Sequence, residues 1–155
     1  MRISLAVAAL TLVLVGVSVR VEPGVPKNEA QIRAALDRYI DAVQKEDLEG
    51  YARVVAHDAD MVNYGAFGEP IHGWDALRGV IEGQNAALDS IRVEQSDVKV
   101  HISASRSDAW CTSLWKFRAR AGENALDLPL RCTWVLEKRG DTWQVVHFHK
   151  SIAAR

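Results

Sequence analysis

The residues of this chain best suited to chemistry gather near its end, in the run Trp143-Gln144-Val145-Val146-His147-Phe148-His149-Lys150-Ser151. Alternate side chains of an extended strand share a face, so His147 and His149 point the same way. Unbroken alternation groups them with Trp143 and Val145 and leaves Val146 and Phe148 opposite. Two imidazoles so placed can stabilise an oxyanion or exchange protons near neutral pH. They can equally be structural, tying neighbouring strands together. A zinc site would need a third ligand, and His57, His72 and His101 lie on other elements at no diagnostic spacing. The expectation is therefore no metal and no cofactor.

Cations and aromatic residues supply the other candidates. Lys116 and Arg118 alternate with Trp115 and Phe117, and Arg131 alternates with Cys132 and Trp134. A cation inside an apolar cavity must meet a carboxylate or an anionic ligand, whereas on a solvent face it needs neither. Tyr39, Tyr64 and Trp74 are rings with a polar handle, which suit a ligand wall and a core alike. Asp58 and Asp60 are the acidic candidates for a base tuned by burial, although they sit in a polar stretch where solvated carboxylates are the norm. The candidate catalytic groups are thus His147, His149 and Asp58. The candidate ligand-binding set is Tyr39, Tyr64, Trp74, Lys116, Arg131, His147 and His149. No Ser-His-Asp order, glycine-rich phosphate loop or paired-carboxylate signature fixes a reaction.

The elements that must position these residues follow from periodicity. Ile32, Ala35, Leu36, Tyr39, Ile40 and Val43 recur at helical spacing, predicting an amphipathic helix over Glu29–Lys45 with Asn28 as its cap and Gln31 as the capping-box partner. Asp47 caps a shorter second helix that turns Leu48, Tyr51, Ala52 and Val55 inward. Met61–Tyr64 and Glu69–His72 form a small hairpin, and a third helix starts at Trp74 with Leu77, Val80 and Ile81 inward. From Arg92 the period becomes two, giving strands over 92–103, 109–121, 125–139 and 142–151 joined by tight turns. Pro129, lacking an N–H, suggests a bulge or an edge position. Cys111 and Cys132 fall on consecutive strands, and their register decides whether a disulfide can form. Helices first and an antiparallel meander last make an α+β fold, and a bent sheet wrapped on a long helix leaves a conical cavity.

The 155 residues suit one domain, with 48% hydrophobic and 25% charged residues. A net charge of −1 lacks the basic footprint that nonspecific nucleic-acid binding needs. Met1-Arg2, the apolar run Ile3–Val15 and the small-x-small Gly16-Val17-Ser18 read as a signal peptide over 1–18. A linker over 19–28 and a domain over 29–152 follow. Such a leader implies export, to the periplasm or outside the cell. The alternative is an uncleaved anchor, the sole membrane contact expected, because Ile3–Val19 approaches the shortest span of about 17 residues.

Thr133-Trp134-Val135-Leu136-Glu137-Lys138-Arg139 followed by the Trp143–Ser151 run resembles the closing hairpin of SnoaL-like domains of the nuclear transport factor 2-like superfamily. More narrowly, it is similar to the association (hub) domain of calcium/calmodulin-dependent protein kinase II and its bacterial relatives. Ile32–Val55 and the His72-Gly73-Trp74 step match the same group, so the resemblance spans about Glu29 to Ser151. It implies a cone-shaped, cystatin-like fold, self-association through the open face of the sheet as a homodimer or larger ring, and a pocket between sheet and helices. It also implies a basic group for small carboxylates at Lys116, where the relatives' arginine fork is replaced by a point charge. Arg131 is favoured over Arg118 because SnoaL-like relatives often carry an arginine two residues before the threonine.

Three functions remain open on the sequence. The first is binding of a small polar or acidic ligand by a self-associating module. The second is proton transfer on a small carbonyl compound by an isomerase, cyclase or lyase of ketosteroid-isomerase type. The third is pure assembly with an unused cavity. Fold alone does not choose among them.

Overall fold

The computed structural model describes residues 26–152. The expected signal peptide or anchor over 1–18, and the linker up to residue 25, lie outside the described residues. Helices α1 (Lys27–Lys45), α2 (Leu48–Val54) and α3 (Gly73–Ala87) accompany a two-stranded hairpin, β1 (Val62–Asn63) and β2 (Ile71–His72). Four long strands follow: β3 (Asp89–Ile102), β4 (Asp108–Ala121), β5 (Asn124–Arg139) and β6 (Thr142–Ile152). They form one antiparallel meander in chain order. The helices precede this curved sheet and pack on it, giving the expected α+β cone. Among the described residues no helix is long and apolar enough to cross a membrane.

Helix α1 buries the predicted stripe, Ile32, Ala35, Leu36, Tyr39, Ile40 and Val43, against the sheet. It begins two residues earlier than the sequence suggested. Pro26 takes the cap position without a side-chain hydrogen bond, since proline's fixed φ suits a helix start. Asn28 lies inside the first turn, and its Oδ1 accepts from Lys138 Nζ at 3.4 Å. Glu46 ends the helix in a left-handed conformation, φ 57°, and the Asp47 side chain accepts from the Gly50 N–H at 2.9 Å to cap α2.

On the sheet, Cys111, Ser113, Trp115 and Phe117 of β4 face Trp134, Cys132, Leu130 and Leu128 of β5. This face carries the core. Pro129 causes no register shift against β4. No bulge against β4 therefore accompanies the proline. Pairing of β6 with β5 is described as far as Leu130 opposite Ile152.

A bulge lies elsewhere. Leu136 pairs with Val145 but Val135 pairs with His147, leaving Val146 as an extra residue in β6. Alternation reverses there. Trp143 and Val145 are buried before it, Phe148 is buried after it, and His147 and His149 are turned to the opposite face. The outer edge of β6 is covered by the segment leading to the hairpin. The N–H groups of Ala56 and Tyr64 donate to the carbonyls of Val145 and Phe148, and Lys150 N–H donates to the carbonyl of Tyr64.

Helix α3 starts on Gly73, whose φ of +72° lies in the left-handed region. A Cβ there would stand 3.3 Å from the Ala59 carbonyl oxygen, while the Gly73 N–H donates to Met61 at 2.7 Å. Glycine meets both demands. Leu77 and Ile81 of α3 are buried as expected. Val80 is half exposed, because it reaches the cavity rim instead of the core.

Candidate functional site

Between the inner face of the sheet, α1, α2 and α3 lies a cavity of about 270 Å³. Its walls are mostly apolar: Leu77, Ile81, Phe117, Leu128 and Leu130 among them, with Ala66, Phe67 and Val80 at the rim. Four polar side chains enter it: Tyr39, Tyr51, Gln84 and Lys150.

Lys150 is the chemically distinctive one. The bulge at Val146 brings it to the inner face, directly opposite Cys132. Its ammonium lies over the rings of Phe148 (4.6 Å), Trp115 (4.9 Å), Tyr39 (5.2 Å) and Trp134 (5.8 Å). Its hydrogen-bond partner is the Tyr39 hydroxyl at 3.4 Å. It is partly buried and lines the cavity. Among the described residues it makes no ion pair. Burial pushes it down from the usual 10.5 to about 8, with the Cys132 thiol opposing the shift slightly. The four rings return part of the lost hydration by cation–π attraction.

The surroundings hold this amine in place. Tyr39 packs edge to face on Tyr51 at 5.0 Å and on Trp134 at 4.9 Å. Burial raises the Tyr39 hydroxyl well above its usual range and lifts that of Tyr51 in the same direction, so both are proton donors at neutral pH. The indole N–H groups of Trp115 and Trp134 donate to Gln95 Oε1 and Ser113 Oγ, at 3.0 and 3.2 Å, and both rings are thereby fixed as walls. The Gln84 amide enters the cavity beside the Tyr51 hydroxyl.

Of the residues singled out on the sequence, Tyr39 alone lines this cavity among the described residues. His147 and His149 stand on the outer face and not with Trp143 and Val145, because of the bulge. The Tyr64 ring meets both edge to face, at 5.7 and 5.6 Å, and His147 Nδ1 bonds the Val62 carbonyl. Lys116 is exposed beside Asp127 at 3.8 Å. Arg131, also exposed, donates to the Ile152 carbonyl. Both share the face opposite Trp115 and Cys132. Trp74 stacks on His57 at 4.3 Å outside the cavity. Asp58 is held by a two-pronged contact with Arg139, which pulls its carboxyl below the usual range and leaves it a poor base. Those seven residues therefore form no common site. Cys111 and Cys132 are buried free thiols. The register sets Cys111 opposite Trp134 and Cys132 opposite Ser113, so they are not cross-strand partners. Among the described residues no cluster of three or more His, Cys, Asp or Glu side chains is placed to hold a metal.

The SnoaL-like domain profile matches residues 32–155. The chain belongs to the SnoaL-like family. Solved structures of similar proteins share the cone-shaped fold of this SnoaL-like domain. One similar structure is a nuclear transport factor 2-like superfamily protein from Salmonella enterica, with TM-score 0.74 and 18% identity, covering 83% of this chain and 92% of that one. Another, a candidate calcium/calmodulin-dependent protein kinase II association domain from Xanthomonas campestris, has TM-score 0.72 and 17% identity over 88% and 94% of the two chains. A ketosteroid isomerase-like protein from Erwinia carotovora matches with TM-score 0.69 and 19% identity over 83% and 98%. At these identities the likeness is one of fold. No curated protein matches the sequence significantly.

Proposed function

We propose that this SnoaL-like protein binds a small, mainly apolar molecule in the conical cavity, with one oxygen acceptor, carboxylate or carbonyl, held against Lys150. The observation that carries this reading is the lone amine at the cavity wall. A buried ammonium without a counterion is costly, and an acceptor from a ligand relieves that cost. Tyr39 and Gln84 add donors to the same cavity, while the aromatic and aliphatic walls suit a flat hydrocarbon body. In this reading the basic group is Lys150, in place of the expected Lys116 and Arg131.

A thermal-shift series with phenylacetate, benzoate and their aldehydes tests it. A saturable shift is expected in wild type and in Lys116→Ala, and its loss in Lys150→Met. No shift with any of them in wild type would remove the reading.

One observation favours a second reading, proton transfer on a carbonyl compound. An amine titrating near 8 inside an apolar chamber accepts protons close to neutrality, and Tyr39 is within reach to stabilise a developing enolate oxygen. A Lys150-dependent exchange of the α-protons of a bound ketone into deuterated water would support it.

We further propose that two copies associate through the outer face of the sheet, where Trp110 and Leu114 are 48% and 47% exposed. Sedimentation of wild type against Leu114→Glu tests this; a monomer in both would contradict it. Export remains the proposal for the leader over 1–18, tested by N-terminal sequencing of the protein recovered from the cell envelope.

A further inference from the structure

We propose that Lys150 condenses reversibly with an aldehyde or ketone held in the cavity, forming an imine between its Nζ and the carbonyl carbon. The inference rests on the reading that this cavity is the ligand site, and it narrows the ligand to a carbonyl compound.

Three features of the geometry support it. Among the described residues no carboxylate pairs with Lys150 to keep it as an ammonium, so its lone pair is not committed there to an ion pair. Its neighbours are four rings, one tyrosine hydroxyl and one thiol, which leaves the amine open on its cavity side. The Tyr39 hydroxyl lies 3.4 Å from Nζ, close enough to donate to the oxygen of a carbonyl whose carbon meets the nitrogen. Burial lowers the amine to about 8, so about a fifth of it is neutral at pH 7.4, against less than about a thousandth for a free lysine. Such desolvation in an apolar pocket is a general route to a nucleophilic lysine.

The step balances without any oxidant or reductant. The nitrogen lone pair forms the N–C bond while the carbonyl π pair moves to oxygen, which takes the Tyr39 proton. Tyr39 recovers a proton from the nitrogen, and a carbinolamine results. The remaining nitrogen lone pair then forms the C=N bond as the C–O bond breaks. The hydroxyl departs as water with the Tyr39 proton, and the nitrogen returns its last proton to Tyr39. One water is released per imine, and the apolar walls slow its return. Cavity size limits the partner to a small body, since about 270 Å³ lies at the lower end of ligand pockets.

Reductive trapping tests the proposal. The full chain is incubated with benzaldehyde and cyanoborohydride near pH 7.5, then analysed by intact mass and peptide mapping, while calorimetry without reductant measures binding. The expected result is a single adduct on Lys150, heavier by the aldehyde less one oxygen, formed at least about tenfold faster than at any of the other five lysines. Lys150→Met should abolish that adduct while its circular dichroism stays native. Tyr39→Phe should slow trapping at saturating benzaldehyde about tenfold, a fall in rate beyond any loss of affinity that a purely structural or binding tyrosine would not give. Saturable binding with Lys150 unmodified would overturn the imine and leave the binding reading standing. Absence of both binding and adduct would overturn the two together.

Discussion

Replacing Lys150 by methionine should make the protein more stable at neutral pH. The change keeps most of the side-chain volume among Trp115, Trp134, Tyr39 and Phe148 and removes a buried charge. The magnitude follows from the titration of the amine, about 8 in the folded state against 10.5 for a free lysine. The gap of about 2.5 units corresponds to about 3 kcal/mol. Ring contacts and the Tyr39 hydroxyl return some of it, so we expect a gain of about 1–3 kcal/mol at pH 7. The pH dependence carries the sign. Between about 8 and 10.5 the unfolded chain holds the Lys150 proton and the folded chain does not, so stability from this group rises with pH across that window. Below 8 its full cost remains. The facing titratable groups are Tyr39 on α1, Tyr51 on α2 and Cys132 on β5. The thiols act oppositely: burial pushes Cys132 up to about 11 and Cys111 to about 12, so their contribution falls as pH rises above 9. Urea denaturation of both proteins at pH 7, 8, 9 and 10 separates the terms, because the thiols are common to both. The stability gap should shrink steadily from pH 8 to 10. A gap that stays constant, or a variant less stable than wild type at pH 7, would refute the reasoning.

Other substitutions probe other parts of the account. Gly73→Ala should cost about 1–2 kcal/mol in the same denaturation assay, from the positive φ and the Cβ approach to Ala59. Asp58→Asn should cost under about 1 kcal/mol, since its pair with Arg139 is more than a third exposed, and it should leave phenylacetate affinity unchanged in calorimetry. His149→Ala should likewise leave that affinity unchanged, because His149 faces away from the cavity. Deleting Val146 would restore simple alternation, turning Phe148 and Lys150 outward; we expect loss of the cooperative unfolding transition.

Much of the fold was legible because burial imposes periods on the sequence. The stripe Ile32–Val43 named its helix and its inner face, and the period-two segments named four strands within three residues of their ends. The SnoaL-like resemblance of Trp134 to Ser151 was borne out by the family match and the cone. The site was not legible by the same rule, because one extra residue reverses facing. Trp143, Val145 and Phe148 are three large apolar residues of mixed parity. They cannot all point inward on a regular strand, and that conflict was the available signal for a bulge at Val146. Lys150 belongs to the same run as the histidines, but a lysine beside them reads as a solvated strand end. Its burial depends on neighbours from α1, β4 and β5, which no local pattern encodes. Pro129 shows the converse: its missing N–H suggested a bulge or an edge, and its register against β4 runs through without a shift.

The most direct test of the central claim, that the Lys150 cavity is the ligand site, is a pair of calorimetric titrations with phenylacetate. Wild type should bind at one site per chain, and Lys150→Met should bind at least about tenfold more weakly, as expected for loss of a charge-assisted contact. Equal affinity in the two proteins, or no binding by wild type, would contradict the account.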